Sequence, residues 1–101
     1  MTRLEEKLAT LAAAGETITY GALARELDLR IGDLTAALEA LMEADAAAKR
    51  PFRAALCAAR LSPQNLPAQG FFAKATALGR PAPDPAAFTA YERARLRTSA
   101  Q

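Results

Sequence analysis

A mainly helical domain with a small β component is predicted for this chain of 101 residues. Three observations predict it. Apolar residues recur at helical spacing, most clearly Ile31, Leu34, Leu38, Leu41 and Met42. Alanine, the strongest helix former, is heavily used. Two short stretches break the helical pattern: the β-branched Thr17-Ile18-Thr19 and the proline-bounded run from Phe52 to Leu61.

The elements follow in order. Thr2 with Glu5 three positions on is a capping box, and it starts a helix with Leu4, Leu8, Leu11 and Ala12 on one face. Gly15 ends it. Thr17-Ile18-Thr19 suits a brief strand, and the Thr19 hydroxyl is placed to cap a second helix that buries Leu23, Ala24 and Leu27. Asp28-Leu29-Arg30 breaks that helix, and a third runs from about Ile31 to Ala46. Two short helices joined by such a break, the first opened by Thr-Tyr-Gly, read as a helix-turn-helix. Lys49-Arg50-Pro51 closes the three-helix unit.

Phe52 to Leu61 is expected as a strand, Ser62 to Pro67 as a loop, and Ala68 to Gly70 as a short returning strand that completes a hairpin. Phe71, Phe72, Ala75 and Leu78 sit at helical spacing ahead of a stop at Gly79. Asp84-Pro85 is a strong helix start, and Phe88, Tyr91 and Leu96 should share one side of the final helix. Helix, strand, helix, helix, hairpin is the order of a winged helix. The expected fold is therefore a winged helix-turn-helix of three helices plus a small β-hairpin, with two additional C-terminal helices. Residues 1–79 would form the winged-helix domain. Residues 80–101 would be a linker and a C-terminal helix packed on the same domain.

Composition narrows the function. No apolar run approaches the roughly 18 residues that a membrane span needs, so no membrane role is expected. The charged start, Met1-Thr2-Arg3-Leu4-Glu5-Glu6-Lys7, lacks the apolar centre of a signal peptide. With a single cysteine, this points to a reducing cytoplasm. Zero histidines remove the usual general base, the usual metal ligand and every Ser-His-Asp or Cys-His arrangement. No glycine-rich phosphate loop is present. No catalytic residue, metal site or cofactor is expected, and the chain is not read as an enzyme. Cys57, set among alanines and leucines, reads as a small buried hydrophobe.

The net charge of +2 conceals a division. Residues 1–48 hold four basic and nine acidic residues, and residues 49–101 hold nine basic and two acidic ones. Either the two halves dock on each other or they meet different partners.

Thr19-Tyr20-Gly21-Ala22-Leu23-Ala24 resembles the start of the helix-turn-helix in the DNA-binding domain of DNA alkyltransferases and alkyltransferase-like proteins. That resemblance implies a winged helix that binds DNA. It does not extend to the acceptor motif Pro-Cys-His-Arg-Val, because Cys57 stands in Leu-Cys-Ala-Ala. A second resemblance covers most of the chain. Thr19-Tyr20-Gly21, Pro51, Ala54-Ala55-Leu56 and Leu66-Pro67-Ala68-Gln69-Gly70-Phe71-Phe72 look like a group of small bacterial proteins with a Thr-Tyr-Gly-x-Leu-Ala and Leu-Pro-Gly-x-Gly-Phe-Phe pattern. This chain has Ala68 where that pattern has glycine.

DNA is accordingly the first partner expected, but the second helix of the motif argues against the usual mode. From Asp28 to Asp45 it has Arg30 against Asp28, Asp33, Glu39, Glu43 and Asp45. The cations lie around the expected wing instead. A wing-led mode would use Lys49, Arg50, Arg53 and Arg60 on phosphates, Gln64 and Asn65 at the loop tip, and Tyr20 and Arg30 at the motif. The alternative is a protein-protein interaction module with no nucleic-acid role, which contacts another protein or itself as a homodimer. Asp33, Glu39 and Glu43 on the presented face would favour that alternative.

Overall fold

The computed structural model describes residues 1–99, so the last two positions of the expected 80–101 segment lie outside it. The described chain is mainly helical. It comprises α1 (Arg3–Ala14), β1 (Ile18–Thr19), α2 (Tyr20–Leu27), α3 (Ile31–Ala47), a 3-10 turn (Arg53–Leu56), β2 (Cys57–Ala58), α4 (Gln69–Ala77) and α5 (Pro85–Ser99).

Local signals set most of these boundaries. The Thr2 side chain accepts from the Glu5 amide, and the Glu5 carboxylate accepts in return from the Thr2 amide. Gly15 closes α1 at φ 69°, in the left-handed region where glycine carries no side-chain penalty. Thr19 Oγ1 accepts from the Ala22 amide at 3.3 Å and caps α2. Asp28 ends α2, also left-handed at φ 55°. The Asp84 carboxylate accepts from the Ala87 amide at 3.1 Å, and Pro85 is the first residue of α5.

The expected hairpin does not form. β2 pairs with β1, parallel, with Ile18 opposite Cys57 and Thr19 opposite Ala58. The reason lies in where the backbone amides go. Phe52 N donates to the Glu92 carboxylate and Arg53 N to the Asp45 carboxylate, both at 3.0 Å. Two buried side chains thus take the bonds a strand partner would have made, and the segment enters the core as a tight turn. Further on, Ala59 N donates to Leu66 O, but Ala68 N donates to the Tyr20 hydroxyl, and Gln69 already opens α4. Ala68 has φ −66°, a conformation open to any residue, so glycine is not required there.

The 3-10 turn is the hub. α1, α3 and α5 all pack against it. Phe52, Ala54, Ala55 and Leu56 are buried with Leu8, Leu23, Leu34, Leu38, Met42, Phe71 and Leu96 in one core. Phe52 meets the Phe71 ring edge-on at 5.9 Å, a favourable arrangement for aromatic quadrupoles. One expectation shifts. On α5, Phe88 packs on the core but Tyr91 is 62% exposed, and the buried polar positions are Thr89 and Glu92. Gly21 is exposed, and a Cβ there would make only ordinary contact with Arg25. No described helix is long and apolar enough to cross a membrane.

Candidate binding groove

Two of the four cations expected around a wing, Arg50 and Arg53, are held in ion pairs within the protein. Arg53 reaches Asp45 through Nη2 and Glu5 through Nη1, each at 2.9 Å. Burial works against its charge, but the two carboxylates outweigh this and hold its guanidinium above the ordinary range. Arg50 bonds Asp45 at 3.2 Å. Lys74 bonds Glu43 at 2.6 Å, which raises its ammonium, with Glu39 adding to the same field. Acidic groups of the first half therefore meet basic groups of the second.

The remaining expected residues do not form one surface. Arg30 is the exposed N-cap residue of α3, with no side-chain capping bond. Lys49 lies just past the other end of α3, at φ 57°. At 1.5 Å per residue the helix separates the two by roughly 27 Å. Arg60 and Gln64 are exposed on the loop between β2 and α4. Asn65 sits left-handed at φ 58°, and its Nδ2 donates to Thr17 Oγ1 at 2.9 Å. Tyr20 is half-buried at the start of α2. Its hydroxyl accepts from the Ala68 amide at 3.0 Å, and burial raises its pKa. Tyr20 and Asn65 thus tie the loop to the strand and helix beneath it.

An apolar concavity lies elsewhere. It is a groove of about 270 Å³ between α3, the start of α4 and Tyr20. Leu38, Met42, Ala54 and Phe71 line it and are all buried, so they form its floor. Ile31, Thr35, Glu39 and Gly70 line it and are exposed, so they form its rim. Gly70 stands at the mouth in open space, with nothing within 4 Å of where a Cβ would stand. The Thr35 hydroxyl donates back to Ile31 O at 2.9 Å, leaving Glu39 as the charged group of the lining. Ile31 is 55% exposed, although its spacing alone would assign it to the core. The Thr-Tyr-Gly and Leu-Pro-x-x-Gly-Phe-Phe segments meet at this groove through Tyr20, Ala68, Gly70 and Phe71.

A smaller cavity of about 200 Å³ lies between the end of α1 and α5, lined in part by Arg93 and Arg97. Arg93 Nε donates to Ala55 O at 2.7 Å, while its Nη2 is buried without a partner among the described residues. Burial lowers the Arg93 pKa. Arg97 lies against Gly15 at the C-terminus of α1, where the helix dipole favours a cation. Burial pushes the Cys57 thiol up to about 12, far from the reactive range. Among the described residues, no three His, Cys, Asp or Glu side chains come together as a metal site would need.

The chain spacing explains what sequence patterns miss. Tyr20 and Ala68 are 48 positions apart, and only the fold joins them. No family model matches this chain, and neither a curated protein nor a solved structure is significantly similar to it.

Proposed function

We propose that this protein is a protein-interaction module of the cytoplasm, not an enzyme, and that it holds an apolar side chain of a partner polypeptide in the groove between α3 and α4. The order α1, β1, α2, α3, β2 is read as a winged-helix derivative in which the loop Ala59–Ala68 stands where a wing would.

One observation carries the reading. From Asp33 to Ala47, α3 has no lysine, arginine, asparagine or glutamine. Its exposed positions are alanines, Thr35 and the carboxylates Asp33, Glu39 and Glu43. A helix that reads the major groove needs hydrogen-bond donors for base edges and cations for phosphates. This one offers neither, and its one hydroxyl, on Thr35, is turned onto its own backbone. Beside that face lies a concavity with an apolar floor. Its size, about 270 Å³, suits one or two apolar side chains. Glu39 at the rim and Glu43 one turn further along α3 face the single ammonium of Lys74, so a partner with a cation beside its apolar anchor is favoured.

A library of random twelve-residue peptides selected on the immobilised chain tests this. The expected peptides carry Leu, Met or Phe next to Lys or Arg. Their amide-shift perturbations should map to Ile31, Thr35 and Gly70, and Ile31→Lys and Glu39→Lys should each weaken them by about tenfold or more. Peptides that map elsewhere overturn the reading. So does tight binding of random duplex DNA at low salt that is lost in Lys49→Ala/Arg60→Ala, which would restore the wing-led DNA mode.

A further inference from the structure

The loop between β2 and α4 presents an apolar group with no packing role. Leu61 is 88% exposed, more than any other large hydrophobic side chain among the described residues. It is not on a slack segment. Ala59 N bonds Leu66 O at 2.8 Å, Ser62 N bonds Ala59 O at 3.1 Å, and Asn65 N bonds Ser62 O at 3.2 Å. Ser62 Oγ accepts from the Leu66 amide, and the Asn65 side chain anchors the loop to Thr17. Five bonds thus fix a short turn that holds Leu61 in water. Next to it stands Arg60, exposed and without an ion-pair partner among the described residues. A cation beside an apolar anchor is the chemistry that the groove selects.

Building on the groove reading, we propose that its occupant is a second copy of this chain, which inserts Leu61 over Met42 and Phe71 and sets Arg60 against Glu39. The arrangement closes on itself. The loop runs through Leu66 into Ala68 and Gly70, which line the groove, so donor and acceptor surfaces adjoin on one side of the molecule. A two-fold axis at that side places each loop in the other copy's groove, giving an isologous dimer rather than a filament. The contact is small, below the roughly 1,200 Å² at which stable interfaces begin. Association is therefore weak and reversible, and a foreign polypeptide with the same two groups competes with it.

Sedimentation equilibrium of the full chain, from micromolar to millimolar at low salt, tests the dimer. The expected result is a monomer–dimer equilibrium that Leu61→Asp abolishes. Arg60→Glu weakens it by about tenfold, and Arg60→Glu combined with Glu39→Arg restores most of it. All three positions are exposed, and far-UV circular dichroism confirms the fold of each variant. In the wild type, raising concentration should move the Ile31, Thr35 and Gly70 amide signals. A chain that stays monomeric at millimolar concentration overturns the proposal, as does a dimer indifferent to Leu61→Asp. If the selected peptides still bind the groove of a strictly monomeric chain, the dimer alone is wrong. If they do not, the groove reading fails with it.

Discussion

Asp45 has no solvent exposure, and its carboxylate meets the Arg53 amide, the Arg53 guanidinium and Arg50. Removing Asp45 leaves the Arg53 amide without its acceptor and the largely buried Arg53 guanidinium with Glu5 alone. Asp45→Ala should therefore cost about 3–5 kcal/mol in a denaturant melt. Glu5 is the half-buried end of the same network. The Thr2 amide, and after it the Arg53 side chain, lower its pKa from 4.5 to about 2. A carboxyl depressed on folding contributes stability above its unfolded value and loses it as pH falls toward the folded one. The thermal midpoint should accordingly drop between pH 4.5 and 2, and Glu5→Gln should flatten that drop. Cys57, with its thiol raised to about 12, should resist a mild alkylating agent in the native protein at pH 8 and react once the chain is unfolded. Rapid native labelling would contradict this.

The helices show which parts of the sequence speak for themselves. α1, α2 and the start of α5 were legible because their signals are local: a capping box, a threonine cap, and Asp-Pro at a first turn. The α3 periodicity was legible too, and Leu34→Ala, at a position with no exposure, should cost about 2–5 kcal/mol by denaturant unfolding. The strand expected over 52–61 was not legible. Its fate depends on Asp45 and Glu92, which lie 8 and 40 positions from the amides they bind. Nothing within the segment announces those partners. The groove was hidden for the same reason, and Ile31 shows it most plainly. Its helical register matches the core residues, but only the placement of α4 decides that it stands at a rim instead.

At the scale of the molecule, the charge division of the sequence becomes an internal contact. Glu5, Glu43 and Asp45 from the acidic half bond Arg53, Lys74 and Arg50 from the basic half. The C-terminal helix is part of this closure. α5 packs on α1 and on the 3-10 turn, burying Leu96 and Thr89. Its Glu92, 2% exposed, accepts from the Phe52 amide and bonds Arg80 at 3.3 Å, while the Arg80 guanidinium lies 4.3 Å from the centre of the Phe52 ring. A chain cut after Gly79 loses all of these. Phe52 would face water, its amide would lose its acceptor, and the Leu8 side of the core would open where α5 covers α1. Each of these losses belongs to the class that costs several kcal/mol, against a total stability of about 5–15 kcal/mol for a domain. The 1–79 fragment should therefore show no cooperative thermal transition by circular dichroism, while the full chain shows one. A cooperative melt in the fragment would mean that the first 79 residues hold a core of their own and that α5 is only an attachment to it.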